Sequence, residues 1–469
     1  MQMESFSMVI DGRLVQTPEQ DEVINPATGA AFATCARASR ANIDAAVAAA
    51  GRALPAWRAD EGMRRQKLIE CATAIQGQAA EIAQVLTREQ GKPLAKAMEE
   101  IFAAAFWFTF FAGLEIKSEV IQDDASKRIR IIHKPLGVVA AITPWNFPVV
   151  LLAFKLGPAL LAGNTVVVKP SEYTPLSSLL LAKIIKDILP AGVVNFLAGP
   201  GSVGAELASH PDVRKVSFTG SVATGKKIAQ NAAADLKRVT LELGGNDPAI
   251  VLPDVDPAKI IDSLFWGAFA NSGQICTAIK RLYIHEDVYA PIVDGLIERA
   301  RSIKVGDGLD AESQLGPINN RMQFERVLGL VEDARKNGGR VLVGGEPLPG
   351  DGYFLPPTIV ADIAAGVRLV DEEQFGTALP VIRYRDLDAV FAEANQGHFG
   401  LGGSIWTSDI ERGEKLIQRL ESGTGWVNHH MDILPNVPFG GCKWSGLGYE
   451  GGRWGYEEFT ELQVVNSKK

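Results

Sequence analysis

VVAAI at Val138–Ile142, TVVVK at Thr165–Lys169, VNFL at Val194–Leu197, KVSF at Lys215–Phe218 and VTLEL at Val239–Leu243 decide the fold. Each is a short, mostly apolar run, bounded by Gly, Pro or Asn, of the length a buried strand needs. Helix-length segments separate them: about Pro148 to Ala162, Pro175–Leu189, a stretch after Gly199-Pro200-Gly201, and one from Thr219-Gly220-Ser221 to about Ala234. Strands alternating with helices predict an α/β, Rossmann-like parallel sheet covered on both faces. Nucleotides bind beyond the carboxyl ends of such strands.

Upstream, Ser7–Val15 and Asp21–Thr28 predict a small β region. Ile43, Val47, Ala50 and Leu54 recur at helical spacing, and one long helix is expected from about Arg64 to Gln90, ended by Gly91-Lys92-Pro93. Another apolar helix runs through Phe111, and Lys127–His133 alternates as a partly exposed strand would. Downstream, a second α/β pattern follows: strands at Ala249–Leu252, Arg281–His285, Arg340–Val343 and Ala378–Tyr384, with helices from Pro257, over Tyr289–Ser302 and over Arg321–Asn337.

The chain has 469 residues, 46% hydrophobic and 22% charged, which is ample for two large domains with their own cores. Its 47 basic and 55 acidic residues leave a net charge of −8, so a nucleic-acid partner is not expected. Cys35, Cys71, Cys276 and Cys442 form no CxxC pair, which argues against a metal site or disulfide scaffold and for a reduced, cytoplasmic setting. The N-terminal MQMESFSMVIDGR lacks the basic start and apolar run of a secretory leader. From Leu136 to Val168 the only charge is Lys155, but Pro144, Pro148, Pro158, Asn146 and Asn164 interrupt the run, so no membrane span is expected.

Five local patterns carry chemistry. Gly220-Ser-Val-Ala-Thr-Gly225-Lys226-Lys227 nearly matches a phosphate-cradling loop, but Lys227 stands where a magnesium-binding hydroxyl belongs. Gly199–Gly204 fits GxGxxG by letter and follows the third strand rather than the first. Cys276 follows Asn271-Ser272-Gly273-Gln274, a tight irregular approach that suits a nucleophile, although most cysteines are inert and buried. Glu242 ends an apolar strand, where a carboxylate is costly unless paired or used. Asn146, ahead of the helix at Pro148, is either an N-cap or an amide donor to an oxyanion.

Taken in order, PWNFP (Pro144–Pro148), KPSE (Lys169–Glu172), FTGS (Phe218–Ser221), LELGGN (Leu241–Asn246), GQIC (Gly273–Cys276), EQFG (Glu373–Gly376) and PFGG (Pro438–Gly441) resemble the NAD(P)-dependent aldehyde dehydrogenase superfamily. The resemblance runs from Asn25 to Val465. It implies three parts: an NAD-binding domain (1–119 and 136–243), a catalytic domain (244–447) and an oligomerisation element (120–135 and 448–469).

It also implies roles. Cys276 attacks the aldehyde to give a thiohemiacetal, and Asn146 with the Cys276 N–H holds the oxyanion. Hydride passes to the nicotinamide, and Glu242 activates the water that releases the acid. Lys155 is a supporting residue. Lys169 and Glu172 match adenosine-ribose contacts, which favours NAD while leaving NADP possible. Ser221 after Gly220 matches a pyrophosphate contact, Glu373 and Phe375 nicotinamide-ribose and ring contacts, with Ile142, Thr143, Trp145, Ser171, Glu242 and Gly244 completing the cofactor set.

Thr377 replaces the usual proline, which predicts a freer loop backbone. Phe147, Leu151, Phe154, Ile275, Thr277 and Phe439 match the substrate entrance and suit an aromatic or medium-chain aliphatic aldehyde. No cation stands out near Cys276, and His429-His430 reads as solvated surface. Ile121–Lys134 and Glu461–Asn466 match strands that join subunits, so a homodimer or homotetramer is expected. Two rivals remain: a P-loop nucleotidase using Gly220–Lys226, which ATP binding would reveal, and a non-catalytic protein on the same fold, which turnover lost in Cys276→Ala would exclude.

Overall fold

The structure is a computed structural model that describes residues 3–116 and 119–469; residues 1–2, which open the N-terminal stretch, and 117–118 lie outside it. Its first large sheet has eight strands, in the order Gly446–Leu447, Arg238–Glu242, Val213–Thr219, Val138–Ile142, Thr165–Lys169, Val194–Phe196, Met8–Ile10, Arg13–Val15. The five from Arg238–Glu242 to Val194–Phe196 are parallel, and antiparallel strands close both edges. Strand order reverses beside Val138–Ile142, the switch point at which the connections diverge to opposite sides and leave a crevice.

Register puts the chemistry on one edge. Ile142 pairs with Lys169 on one side and Phe218 on the other, and Thr219 pairs with Glu242. These positions are therefore the carboxyl ends of four neighbouring strands. The apolar run from Leu136 resolves, as expected, into strand, turn, the helix Pro148–Ala162 and strand. Among the described residues no helix is long and apolar enough to cross a membrane.

The second sheet has seven strands: Arg340–Val343, Thr358–Ala361, Ala378–Tyr384, Ile279–His285, Asp247–Val251, Gly402–Trp406 and Thr424–Val427. Segment 446–447, inside the span expected for the second domain, pairs with the first sheet through Leu241 and Glu242. A separate three-stranded sheet joins Glu119–Asp123, Lys127–Pro135 and Thr460–Lys468.

Two local readings need correction. The expected long helix is two, Glu61–Gly77 and Ala79–Gln90, because Gln78 takes φ −115° and ψ 17° and its N–H closes the first helix on Ala74 and Ile75 carbonyls. The break lets the second piece turn and pack on the helix Leu176–Ile185. An alanine-rich strand, Ala30–Ala36, lies where none is read from the sequence; it gains its partners, Glu4–Phe6 and Gln20–Asn25, only in the fold.

Candidate active site

Asn146 lies in the turn between the strand Val138–Ile142 and the helix Pro148–Ala162 and is buried. Its Nδ2 donates to the Gln274 carbonyl at 2.8 Å. Its own carbonyl accepts from Lys92 Nζ at 2.9 Å and Asn271 Nδ2 at 3.1 Å. Asn146 is thus not a helix N-cap: the helix is entered from Phe147, which supplies no side-chain acceptor.

The approach to Cys276 is as irregular as its composition implies. Asn271, Ser272 and Gly273 are all left-handed, at φ 50°, 57° and 71°. A Cβ on Gly273 would sit 2.1 Å from the Gly376 carbonyl oxygen, so only glycine fits there. Ser272 Oγ ties the turn down by donating to Gly316 O at 2.8 Å. Cys276 emerges partly exposed on the wall of a cavity. Burial pushes its thiol up to about 12 against the opposing pull of Lys280, so the resting group is a thiol. Lys280 is itself buried and donates to the Ile275 carbonyl, so a cation does stand near Cys276, contrary to the sequence reading. It lies behind the loop and does not line the cavity.

Glu242 ends its strand buried, with neither carboxylate oxygen hydrogen-bonded. Among the described residues no salt bridge absorbs it. Burial first, then the charge of Glu450, hold its pKa well above the usual carboxylate range, with Lys155 opposing. Lys155 Nζ is pinned between Thr219 Oγ1 at 2.7 Å and Glu450 Oε1 at 2.6 Å. Glu450 belongs to this constellation and is not read from the sequence; its only signal is an acid inside the glycine run Gly446–Gly452.

A cleft of about 1500 Å³ opens over the strand ends. Ile142, Thr143, Trp145, Asn146, Lys169, Ser171, Glu172, Gly220, Ser221, Gly244, Cys276, Glu373 and Phe375 all line it. Ser221 caps the helix Val222–Ala233, its Oγ accepting from Thr224 N at 3.3 Å, so that helix start faces the cleft with its dipole favouring an anion. Buried Lys169 sits 3.3 Å from the exposed Glu172 carboxylate. Glu373 accepts from Gly245 N at 3.0 Å, and a Cβ on Gly244 would fall 2.1 Å from its carboxylate, so the double glycine seats it. Phe375, at φ 51°, meets Trp145 edge-on at 5.2 Å. The donor and acceptor set fits a dinucleotide. Lys226, by contrast, lies 3.2 Å over the Trp444 ring, away from a P-loop role.

The loop around Thr377 is not free. Gln323 Nε2 donates to the Gln374 and Phe375 carbonyls at 2.7 and 3.0 Å, Thr377 O accepts from Thr358 N at 2.8 Å, and Thr377 is buried. Of the six expected entrance residues, Leu151 lines the cleft. Phe154 is buried and stacks on Trp107 at 3.5 Å, Phe147 lies beneath Lys92 Nζ at 3.7 Å, and Thr277 and Phe439 are buried, with Ile275 half-buried. The reading of His430 as solvated is wrong: its side chain is buried, within 2.7 Å of Thr277 O and 2.9 Å of Ser404 Oγ. Burial pulls it down to about 3, so it is neutral.

These features define an α/β fold with two large sheets, a buried carboxylate at the carboxyl edge of the first and a thiol on the wall of the cleft. Residues 15–465 match the aldehyde dehydrogenase family, and the chain belongs to it. It is 40% identical to retinaldehyde dehydrogenase 3 of Rattus norvegicus over 91% of this chain and 84% of that one. It is 39% identical to the NADP(+) succinate-semialdehyde dehydrogenase GabD of Escherichia coli over 95% and 94% of the two chains. An aldehyde dehydrogenase from Bacillus cereus, solved as an NAD+ complex, superposes with a TM-score of 0.97 at 37% identity, covering 99% and 97%.

Proposed function

We propose that this chain oxidises an apolar aldehyde, aromatic or medium-chain aliphatic, to the free carboxylic acid, using NAD in preference to NADP. The observation that carries this reading is that Asn146 and Cys276 line one dinucleotide-sized cleft while Glu242, at a buried strand end, lies near enough for its charge to act on the Cys276 thiol. Bound there, the dinucleotide supplies the hydride acceptor. Ser221 and the helix start behind it would hold the pyrophosphate, Lys169 and Glu172 the adenosine ribose, and Glu373 the nicotinamide ribose, with Ser171, Gly220, Gly244, Phe375, Ile142, Thr143 and Trp145 forming the walls.

The chain's own groups do the rest. The Cys276 thiol gives up its proton to water in the cleft as its sulfur adds to the aldehyde carbon. Asn146 Nδ2, already aimed at the Gln274 carbonyl, has a second N–H for the oxyanion, to which the Cys276 N–H also donates. At the thioester stage Glu242, whose unpaired oxygens and raised pKa make it a stronger base than an ordinary carboxylate, takes a proton from the attacking water. Lys155, bridging Glu450 and Thr219, fixes the charge beside Glu242. A hydrolytic carboxylate in this position favours free acid over transfer to coenzyme A.

A carboxylate at Glu172 accepts ribose hydroxyls and repels a 2′-phosphate, which supports NAD. Leu151 on the cleft wall, with Phe147 and Phe154 behind it, supports an apolar substrate. Val120, Ile121, Leu462 and Val464 leave large apolar side chains exposed on the small sheet, which supports a homodimer or homotetramer joined there. A free catalytic thiol suits a reducing compartment, in line with a cytoplasmic setting.

The test follows reduced nicotinamide in wild type and Glu242→Ala with benzaldehyde and hexanal. Wild type should turn over steadily with NAD, and the variant should stop after one equivalent per active site. Normal turnover in the variant would remove Glu242 from hydrolysis, and a lower KM for NADP would reverse the cofactor preference.

A further inference from the structure

Lys92 lies in the junction between two helices, Ala79–Gln90 and Leu94–Gly113, and Glu100 lies within the second, outside both sheets. The triplet Gly91-Lys92-Pro93 reads in the sequence as a helix stop and nothing more. In the fold its lysine is buried, with side-chain exposure of 1%, and so is Glu100. Lys92 Nζ donates to Glu100 Oε2 at 2.5 Å and to the Asn146 carbonyl at 2.9 Å, and lies 3.7 Å over the Phe147 ring. Glu100 Oε1 accepts from Val149 N at 2.9 Å and Val150 N at 3.2 Å. Those are orphan amides of the first turn of Pro148–Ala162, a helix without a side-chain cap of its own.

We infer that Lys92 and Glu100 are positioning residues that set Asn146 for its oxyanion contact, an inference that rests on the role proposed for Asn146 above. The pair grips the backbone at the asparagine and just after it: Lys92 at residue 146 itself, Glu100 three and four residues on. Lys92 is held in turn. Its N–H donates to Gln90 Oε1 at 3.0 Å, and Gly91 is left-handed at φ +101°, with a would-be Cβ 2.8 Å from the Pro317 ring. A buried ion pair adds little net stability over an apolar pair of the same volume, so its contribution here is geometric. Catalysis is sensitive to such geometry, since a misplacement of about 1 Å can slow a reaction roughly 100-fold.

The experiment is a double-mutant cycle on the intact enzyme, reading the rate of the first turnover with hexanal at saturating NAD, and NAD affinity by fluorescence titration. Lys92→Met should slow the first turnover by about tenfold or more and leave the NAD dissociation constant within about twofold. In an Asn146→Ala background the same substitution should cost less than about threefold, because the residue it serves is gone. Glu100→Gln keeps an acceptor oxygen for Val149 and Val150; it should show a smaller loss that Asn146→Ala likewise absorbs, and it carries the test if Lys92→Met does not fold. An equal fold-loss in both backgrounds, or an unchanged first turnover in Lys92→Met, overturns the inference. An unchanged first turnover in Asn146→Ala instead overturns the oxyanion reading beneath it, and the single-variant data tell the two failures apart.

Discussion

Two regions beside the first large sheet bury glutamates and treat them oppositely. At the carboxyl edge of the sheet, Glu242 has both oxygens without a hydrogen-bond partner. At the helical end, Glu89 is as deeply buried but accepts from Leu176 N at 2.7 Å, from Ser177 N at 2.9 Å and from the Ser177 hydroxyl. Glu89 completes the start of the helix Leu176–Ile185 as Glu100 completes that of Pro148–Ala162. Burial raises the pKa of both Glu242 and Glu89, so a perturbed carboxylate alone does not mark chemistry. What separates them is satisfaction. A buried carboxylate with donors around it is structure, and one left open beside a thiol is available to react.

The sharpest way to break this comparison is to neutralise each in turn. Glu242→Gln should lower steady-state turnover by about 10²- to 10⁴-fold, the usual span for loss of a general base, while the thermal midpoint stays level or rises. Glu89→Gln should do the reverse, keeping turnover within a few-fold and changing stability. Parallel kcat and differential scanning calorimetry measurements decide it. Comparable losses of turnover in the two variants would mean that hydrogen-bond satisfaction does not sort these groups.

The same contrast explains what the sequence could reveal. The cleft wall was legible because its residues sit at strand ends and helix starts, where local patterning sets both the backbone and the residue that faces out. Ile142, Lys169, Gly220 and Ser221 all follow that rule and all line the cleft. Glu450, Lys92, Glu100 and the buried Lys280 were not legible. Each gains its meaning from a partner at least eight residues away, or from a loop carbonyl, as with Lys92 and Asn146 or Lys155 and Glu450. The entrance fared worst for a related reason: whether Phe154 faces a substrate or Trp107 depends on how two helices pack. His430 misled because a polar loop pair ordinarily stays solvated, whereas here Thr277 and Ser404 receive its ring.

A second, smaller effect sharpens the reactive side. Because burial holds the Cys276 thiol up near about 12, only a trace is thiolate at neutral pH. Alkylation of Cys276 by iodoacetamide in the enzyme without cofactor should therefore rise about tenfold per pH unit from 7 to 9, without a plateau. Peptide mass spectrometry separates it from Cys442, the other partly exposed thiol. A plateau near pH 7 would mean that Lys280 outweighs burial and that the thiol rests as thiolate.

The smallest effect belongs to the structural side, where only the pH dependence is diagnostic. Burial raises Glu89 to about 8 from an ordinary value of 4.5, despite its three donors. The unfolded chain releases that proton near 4.5 while the folded chain keeps it to about 8, so between those values the unfolded state binds fewer protons. Glu89 therefore contributes most to stability below pH 4.5, loses that contribution as pH rises towards 8, and changes nothing further above it. His430 acts in the opposite direction, losing stability as pH falls from 6.5 to about 3, so its slope overlaps that of Glu89 only between 4.5 and 6.5. Measured from pH 6.5 to 9, the thermal midpoint of wild type should fall by about 2 °C relative to Glu89→Gln and then run parallel to it, a modest shift because one kcal/mol moves a large protein by only a few degrees. Curves parallel throughout would mean that the donors from Leu176 and Ser177 hold Glu89 ionised in the fold, which would make it a charged cap rather than a protonated one.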